Sequence, residues 1–510
     1  MPKIVSLTLN FNQDLVKELK KTEVFDDFRI LSKSLDARGA PRGRVPTYHY
    51  KVELKAKSES FVNERAEAFK VSSFAKRPVI IGAGPAGLFC ALRFASAGVA
   101  VTVIERGAAA NKRMLDISKY WRKGVLNTES NVCYGEGGAG LFSDGKLITR
   151  IKSDLVQEVM HTFVDYGAPE EVAYLSNPHL GSNKIRKIIT EITNDLKSRD
   201  TDVRVDTRVD EILFENNKVV GVLLDNGETI ETDHVILATG HSARQMYYKL
   251  YESKVAMGSK DFALGVRVEH PRRLIDEIQH GKFAKELETA RYKLTHYNRT
   301  SERGTYSFCM CPGGYVLSSG TEADGIVVNG MSNFARNSPW SNSALVVTVK
   351  AGRDYEERNA LSGLAFQESI EKMAYQMSVE HATGRELPAM TVTEFMQGSL
   401  NSKVLPKTSS PSKIFKANLL DILPPFVVEH LRAGLKNYDR KMPGFISDEA
   451  VLIAPETRTS APITILRDKT TFESISHSGL YPCGEGAGHA GGITSAAVDG
   501  MKVADSILKP

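Results

Sequence analysis

Gly82, Gly84 and Gly87 stand at Gly-x-Gly-x-x-Gly spacing directly after the apolar run Val79-Ile80-Ile81. Glu105 follows about 20 residues on, at the end of a second apolar run, Val101 to Ile104. Each residue type has a task in holding a dinucleotide. Gly82 permits a tight turn, Gly84 lets backbone approach a pyrophosphate, and Gly87 permits close packing of helix on strand. The anion then rests on free N–H groups at a helix N-terminus, bordered here by Pro85 and Ala86. A carboxylate at 105, followed by Arg106, accepts hydrogen bonds from ribose hydroxyls and repels a 2′-phosphate. The expected ligand is therefore FAD or NAD rather than NADP. A glycine-rich turn would explain the glycines alone, but not the two strands, the helix and the acid together.

Residues far downstream separate FAD from NAD. Gly479 to Gly500 reads as a short strand, a glycine turn and a helix from about Ile493 to Ile507. In FAD proteins such a returning segment sets an acidic residue, here Glu485 beside Gly484, on the ribityl chain. It also aims a helix N-terminus, here Gly492 and Ile493, at the N1–C2 edge of the isoalloxazine, where the dipole stabilises the anionic reduced flavin. Between the two ends lie strands around Val209 to Leu213 and Val219 to Leu224, an Asp225-Asn226-Gly227-Glu228 hairpin turn, and a strand ending in Ala238-Thr239-Gly240. That strand end, and Val209, are expected beside the cofactor. Gly135 to Gly140 also matches Gly-x-Gly-x-x-Gly, but no buried strand precedes it and no strand-ending acid follows, so it is rejected as a second nucleotide site. Gly137 and Gly138 more plausibly let backbone approach the flavin, with Ser143 and Lys146 offering a hydroxyl and a positive charge; the alternative is a plain turn.

Hydride transfer needs little beyond position, an anion-stabilising group and a proton donor or acceptor. His489 is one candidate for that donor, against a structural histidine bonding a backbone carbonyl. Arg458 could clamp a substrate carboxylate bidentately, or pair with a neighbouring acid such as Glu456. Cys309 and Cys311 share a face if their segment is a strand, and could be redox-active or metal-binding. Buried, inert cysteines are the preferred reading, because Cys-x-Cys lacks the paired spacing of a zinc site. Cys483, next to Gly484, allows a covalent or charge-transfer role or simple packing, and Arg267 and Glu269 are placed to pair across a strand face.

Taken together, Gly82 to Glu105, Ala238 to Gly240 and Gly484 to Gly500 resemble the two-dinucleotide-binding-domain flavoprotein superfamily. Gly135 to Leu147, Phe262 to Pro271, Ser307 to Tyr315 and Glu456 to Pro462 are similar to one branch of it, the bacterial uncharacterised FAD-dependent dehydrogenases, usually labelled NAD(P)/FAD-dependent oxidoreductases. The resemblance spans nearly the whole chain. It implies an α/β fold: a Rossmann-type FAD-binding domain of the GR2-like flavoprotein class with an inserted α+β substrate domain. It implies FAD and redox chemistry, and no particular substrate. Gly484-Glu485 departs from the commoner Gly-Asp pair, though a longer carboxylate still reaches a ribityl hydroxyl. Disulfide reductases of the glutathione reductase type carry a second Rossmann unit and a CxxxxC pair, and this chain shows neither. NAD(P)H must then bind transiently over the flavin, or electrons come from a small organic substrate, with the insert closing over the ring as in fumarate-reductase or hydroxylase-type flavoproteins.

Positioning these residues requires several elements. A chain of 510 residues exceeds one core, and the expected division is 1–74, 75–245, 246–450 and 451–510. The first segment is a small N-terminal α+β module with a strand at Ile4 to Leu9, a helix at Asn12 to Lys21, and strands at Phe28 to Leu35 and Tyr48 to Leu54. The second and fourth form the FAD-binding domain, and the second includes an amphipathic helix carrying Ile185, Ile188, Ile189, Ile192 and Leu196. The third is the inserted substrate or cap domain, rich in strand signals, with helices near Ala365 to His381 and Pro425 to Leu435 and a polar loop from Lys403 to Lys416. A composition of 42% hydrophobic and 25% charged residues is that of an ordinary soluble protein, and a net charge of +5 does not call for nucleic acid. No membrane span and no signal-peptide h-region are evident, and an odd set of five cysteines suits a reducing cytoplasm. The alternative function is binding of RNA or a partner through the loop bearing Arg38, Arg42 and Arg44, against a solvated loop.

Overall fold

The computed structural model describes residues 2–61, 74–402 and 404–509; residues 62–73 of the expected N-terminal module and Lys403 of the expected polar loop lie outside them. Segments too short for helices, apolar except at the Asp202–Arg204 edge, build a five-stranded parallel sheet, ordered Leu480–Pro482, Val235–Leu237, Val79–Ile81, Thr102–Ile104, Asp202–Arg204. The inner strands are buried on both faces, as strands covered by helices must be. From Val79–Ile81 the chain passes through helix Pro85–Ser96 to the neighbour on one side, and only later reaches Val235–Leu237 on the other. A crevice therefore opens at the carboxyl end of Val79–Ile81, where open α/β sheets bind ligands. Helix Ile493–Leu508 packs on helix Pro85–Ser96 so closely that a Cβ at Gly500 would lie 2.1 Å from the Ala86 carbonyl oxygen. The helix expected around Ile185 to Leu196 spans Gly181–Ser198 and buries all five apolar residues.

A second, seven-stranded sheet is ordered Thr295–Asn298, Arg303–Cys311, Trp340–Val349, Phe262–Pro271, Val451–Glu456, Leu387–Thr391, Ile414–Lys416, and is antiparallel except for the last pair. Val451–Glu456 differs from expectation. Instead of opening the return to the first domain, this wholly buried strand lies inside the second sheet, between Phe262–Pro271 and Leu387–Thr391. The chain rejoins the parallel sheet only through Leu480–Pro482. Helix Ser362–His381 starts three residues earlier than expected. Helix Pro425–Lys441 runs past Leu435 because Tyr438 continues its buried stripe. Within the expected polar loop, Ile414–Lys416 is an edge strand.

The N-terminal module is a three-stranded antiparallel sheet, ordered Lys3–Asn10, Thr47–Lys55, Asp27–Asp36, under helix Leu15–Thr22. Asp14 caps that helix, accepting from the Lys17 amide at 2.8 Å, and Leu19 buries against Val52 and Leu54. The module touches both sheet systems. Lys33 exchanges backbone bonds of 3.0 Å with Tyr174 and Ser176 on one side. On the other, the Phe11 ring meets Phe283 at 5.8 Å between centroids, beside the short helical turn Ala40–Arg42. In the basic loop, Arg38 is held by Asp36 at 2.6 Å. Among the described residues, no helix is long and apolar enough to cross a membrane.

Candidate functional site

A cavity of about 810 Å³ fills the crevice between the two large sheets. Its floor is built by backbone. Gly82, with φ of 107°, turns so tightly that a Cβ would come within 2.4 Å of the Ala238 carbonyl oxygen. Gly84, Pro85 and Ala86 then present the N-terminus of a 12-residue helix to the cavity, where the first N–H groups have no intrahelical acceptor. Gly138 presses against Gly84: a Cβ there would sit 3.1 Å from the Gly84 Cα. A second helix N-terminus, at Gly491, Gly492 and Ile493, opens onto the same space, and a Cβ at Gly491 or Gly492 would meet nothing within 4 Å.

Glu105 lies at the edge of the cavity with its carboxylate fixed by three amides: Gly107 and Gly135 donate to one oxygen at 3.0 and 2.8 Å, and Ala83 to the other at 2.9 Å. Arg106 pairs with Glu129 at 2.8 Å and stacks on the Tyr134 ring. Val209, Ala238, Thr239, Gly240, Ser143, Lys146 and Glu485 also line the cavity. Ser143 donates to the Gly140 carbonyl at 2.8 Å, and the Lys146 ammonium donates to the Met310 carbonyl. Gly87, Gly137 and Gly484 stand behind the wall. A Cβ at Gly87 would lie 1.9 Å from the Gly82 carbonyl oxygen, Gly137 donates to the Ala83 carbonyl at 2.9 Å, and Gly484 donates to Asp499 at 2.7 Å.

Both candidates for direct chemistry need correction. His489 does not reach the cavity; its Nε2 bonds the Ile465 carbonyl at 3.0 Å, and burial lowers its basicity. Arg458 does border the cavity, but its guanidinium is spent on Glu371 at 2.7 Å, on Glu322, on Thr321 at 2.7 Å and on Ser242 at 3.1 Å. Its partner is not Glu456, which pairs bidentately with Arg267 at 2.8 Å. Glu269 likewise bonds Ser409 rather than Arg267. Glu371, 1% exposed, lies between Arg458 and Arg244; burial works to raise its carboxyl, yet the two guanidinium groups hold it at about 2. Cys483 lines the cavity, but burial pushes its thiol well up and keeps it protonated.

Two cavity residues, His241 and Asn329, carried no sequence signal. His241, lowered to about 4 by burial and by Arg458 and Arg244, bonds Ser242 at 2.8 Å just beyond the Ala-Thr-Gly strand end. Phe308, Cys309 and Glu456 come from the second sheet, and Asn329 from the two-stranded sheet of Tyr315–Ser318 and Val328–Met331. Burial pushes Glu485 up to about 7, against the pull of Lys260. Glu269, buried against Ser409, also rises to about 7 through burial. Both carboxyls are proton-bound in the fold at pH values where the unfolded chain, near 4.5, has released them. Their stabilisation is thus complete below about 4.5 and lost as pH rises through about 7. In urea titrations of the flavin-free protein, the unfolding midpoint is expected to fall across that window, and to fall less in Glu269→Gln and in Glu485→Gln. Equal pH slopes in all three proteins would refute the assignment. Among the described residues, no group of three or more His, Cys, Asp or Glu side chains is placed to hold a metal ion.

Comparisons with known proteins add to this geometry. Residues 76–252 match the family described as pyridine nucleotide-disulphide oxidoreductase, and residues 261–459 match FAD-dependent protein, C-terminal domain-like. An uncharacterized protein of Clostridium beijerinckii is 41% identical over 438 residues, covering 85% of this chain and 81% of its own. Protein FixC of Escherichia coli is 29% identical over 207 residues, 39% of this chain and 44% of its own. Among solved structures, a glycine oxidase from Bacillus cereus aligns over 85% of this chain and 94% of its own at 12% identity, with a TM-score of 0.33.

Proposed function

The chain belongs to the family of uncharacterised FAD-dependent oxidoreductases that contains the Clostridium beijerinckii protein, and from that premise we propose that FAD spans the two helix N-termini of the cavity while a small organic substrate, or NAD(P)H, enters on the side of the second sheet. When bound, FAD supplies a carrier that takes up or gives up a hydride. The observation that carries this reading is the convergence of Gly84–Ala86, Glu105 and Gly491–Ile493 on one cavity. The residues fit the cofactor: the first N-terminus offers free amides to a diphosphate, with only glycine at 84 and 138 where a side chain would intrude. Glu105, pinned by its three amides, turns a fixed acceptor toward ribose hydroxyls.

Glu485, titrating near 7, can donate to or accept from a ribityl hydroxyl. The second N-terminus would turn the positive end of a 16-residue helix dipole toward the negative charge of reduced flavin. Over this floor, Phe308, Cys309, Asn329 and Glu456 form the opposite wall and exclude water from the reacting pair. Arg458 acts as a positioning residue, holding Ser242 at the cavity wall and itself anchored on Thr321. Anaerobic mixing of the FAD-loaded protein with NADH and with NADPH, followed at the oxidised-flavin band, tests the electron source. Rapid bleaching by one nucleotide is expected if nicotinamide is the donor. Bleaching by neither directs the search to reduced organic metabolites, and a protein that retains no FAD refutes the proposal.

A further inference from the structure

Cys309 and Cys311 close the strand Arg303–Cys311, and the register of that strand against Trp340–Val349 shifts between Phe308 and Cys311. The irregularity contains Cys309, whose φ of 45° lies in the left-handed region. A residue with a side chain adopts that region only where its surroundings hold it there, and such strain gathers at functional positions. The shared strand face expected for the two side chains is therefore interrupted by the irregularity. In a regular strand, residues two apart stand about 6.6 Å apart, at the upper edge of the roughly 4.4–6.8 Å between the Cα atoms of a disulfide. The register shift and the left-handed φ of Cys309 take this pair out of that regular extended geometry.

The two residues now meet. The Cys311 thiol donates to the Cys309 carbonyl oxygen at 3.3 Å, which folds the second thiol back over the first cysteine. Cys309 faces the cavity, whereas Cys311 is fully buried behind it. Arg267, itself 0% exposed, brings one guanidinium nitrogen to 3.3 Å from the Cys309 carbonyl oxygen and 4.0 Å from the Cys311 sulfur. The contact with Cys311 draws the Cys309 thiol down against the effect of burial, helped by the charges of Lys146 and Arg267, while Cys311 is pushed up. That asymmetry gives a thiolate at the cavity and a protonated thiol behind it, the division of labour of an attacking and a resolving cysteine.

We propose that Cys309 and Cys311 form a reversible dithiol/disulfide couple that exchanges an electron pair with FAD in the cavity. As the S–S bond forms, the Cys309 thiolate and the Cys311 thiol together give up one proton and two electrons, and oxidised FAD would take up all three to become the anionic reduced form; run backward, the proton and electron pair return and the S–S bond breaks. The exchange rests on the proposed placement of FAD, whereas the couple itself does not.

The test uses the full-length protein. Anaerobic equilibration in graded mixtures of reduced and oxidised dithiothreitol, an iodoacetamide quench and mass analysis of the peptide bearing both cysteines should show the two losing alkylation together as the mixture becomes oxidising. Dithionite titration of the oxidised, FAD-loaded protein should then consume about two electron pairs per flavin, and about one in Cys309→Ser. Cys311→Ala provides the second variant, with the same expected loss. Alkylation independent of the mixture overturns the couple whatever the flavin does. A couple that titrates while dithionite delivers one pair per flavin overturns the exchange alone. A chain without the flavin band fails the proposed function and the exchange together, and is recognised before any thiol is counted.

Discussion

Glu371→Gln is expected to lower the free energy of unfolding by about 3–5 kcal/mol, as removal of one partner from a buried ion pair does. In the native protein Glu371 receives both nitrogens of Arg244 at 2.9 Å, two from Arg458 at 2.7 and 3.1 Å, and the Thr457 hydroxyl at 2.6 Å. An amide keeps the shape and loses the charge. Arg244, 5% exposed, then faces only more distant acids, Glu322 at 3.4 Å and Glu368 at 3.7 Å. Replacing the unit by apolar side chains, Glu322 included, as in Arg244→Met/Glu322→Leu/Glu371→Leu/Arg458→Met, should recover much of the loss, because the cost lies in stranded charge. Urea denaturation of the three proteins decides the matter. A Glu371→Gln loss below about 1 kcal/mol would place the pair in the energetic range of surface bridges.

Gly82→Ala should produce a folded protein that fails to retain FAD, with affinity at least ~10-fold weaker, since strained left-handed backbone alone costs about 1–3 kcal/mol. Here the added methyl also meets the Ala238 carbonyl at 2.4 Å and the Thr239 Cα at 3.3 Å, so the cavity floor must part from the strand that supports it. Gly43→Ala is the matched control. Its φ of 83° carries the same backbone penalty, but nothing lies within 4 Å of its Cβ, and it sits in the N-terminal module. Flavin absorbance per protein after gel filtration should fall in the first variant and stay at the wild-type value in the second. Equal flavin content in Gly82→Ala and wild type would show that the tight turn is dispensable.

How much of this was legible in the chain depends on how local the constraint is. The FAD-binding fold and the turns at Gly82 and Gly138 follow from glycine spacing beside apolar runs, because the left-handed φ and close approach of these residues arise within a few residues of sequence. The neighbourhood of His489 was legible as well. Its direction was not, since the Ile465 carbonyl that turns its ring away lies 24 residues off, on a separate strand. Arg458 and Glu371 are 87 residues apart, and Arg267 and Glu456 are 189 apart; hydrophobic periodicity carries no record of such pairs. Val451–Glu456 shows the same limit from another side. Its apolar run identifies a buried strand, but which of two sheets receives it is settled by the partners Phe262–Pro271 and Leu387–Thr391.

The docking of the N-terminal module has a mechanical meaning. Flavoproteins with a covered cofactor commonly admit substrate by swinging one lobe from the other about a hinge. Here Lys33 is stitched to the segment at Tyr174 and Ser176 that leads into the helix against the parallel sheet, while Phe11 and Ala40–Arg42 bear on Gly281–Phe283 beyond the second sheet. The module is thus a strut across the two lobes. Wide opening must either shear it from one lobe or be replaced by local rearrangement of the rim, and removing the strut would exchange a restricted doorway for a swinging one.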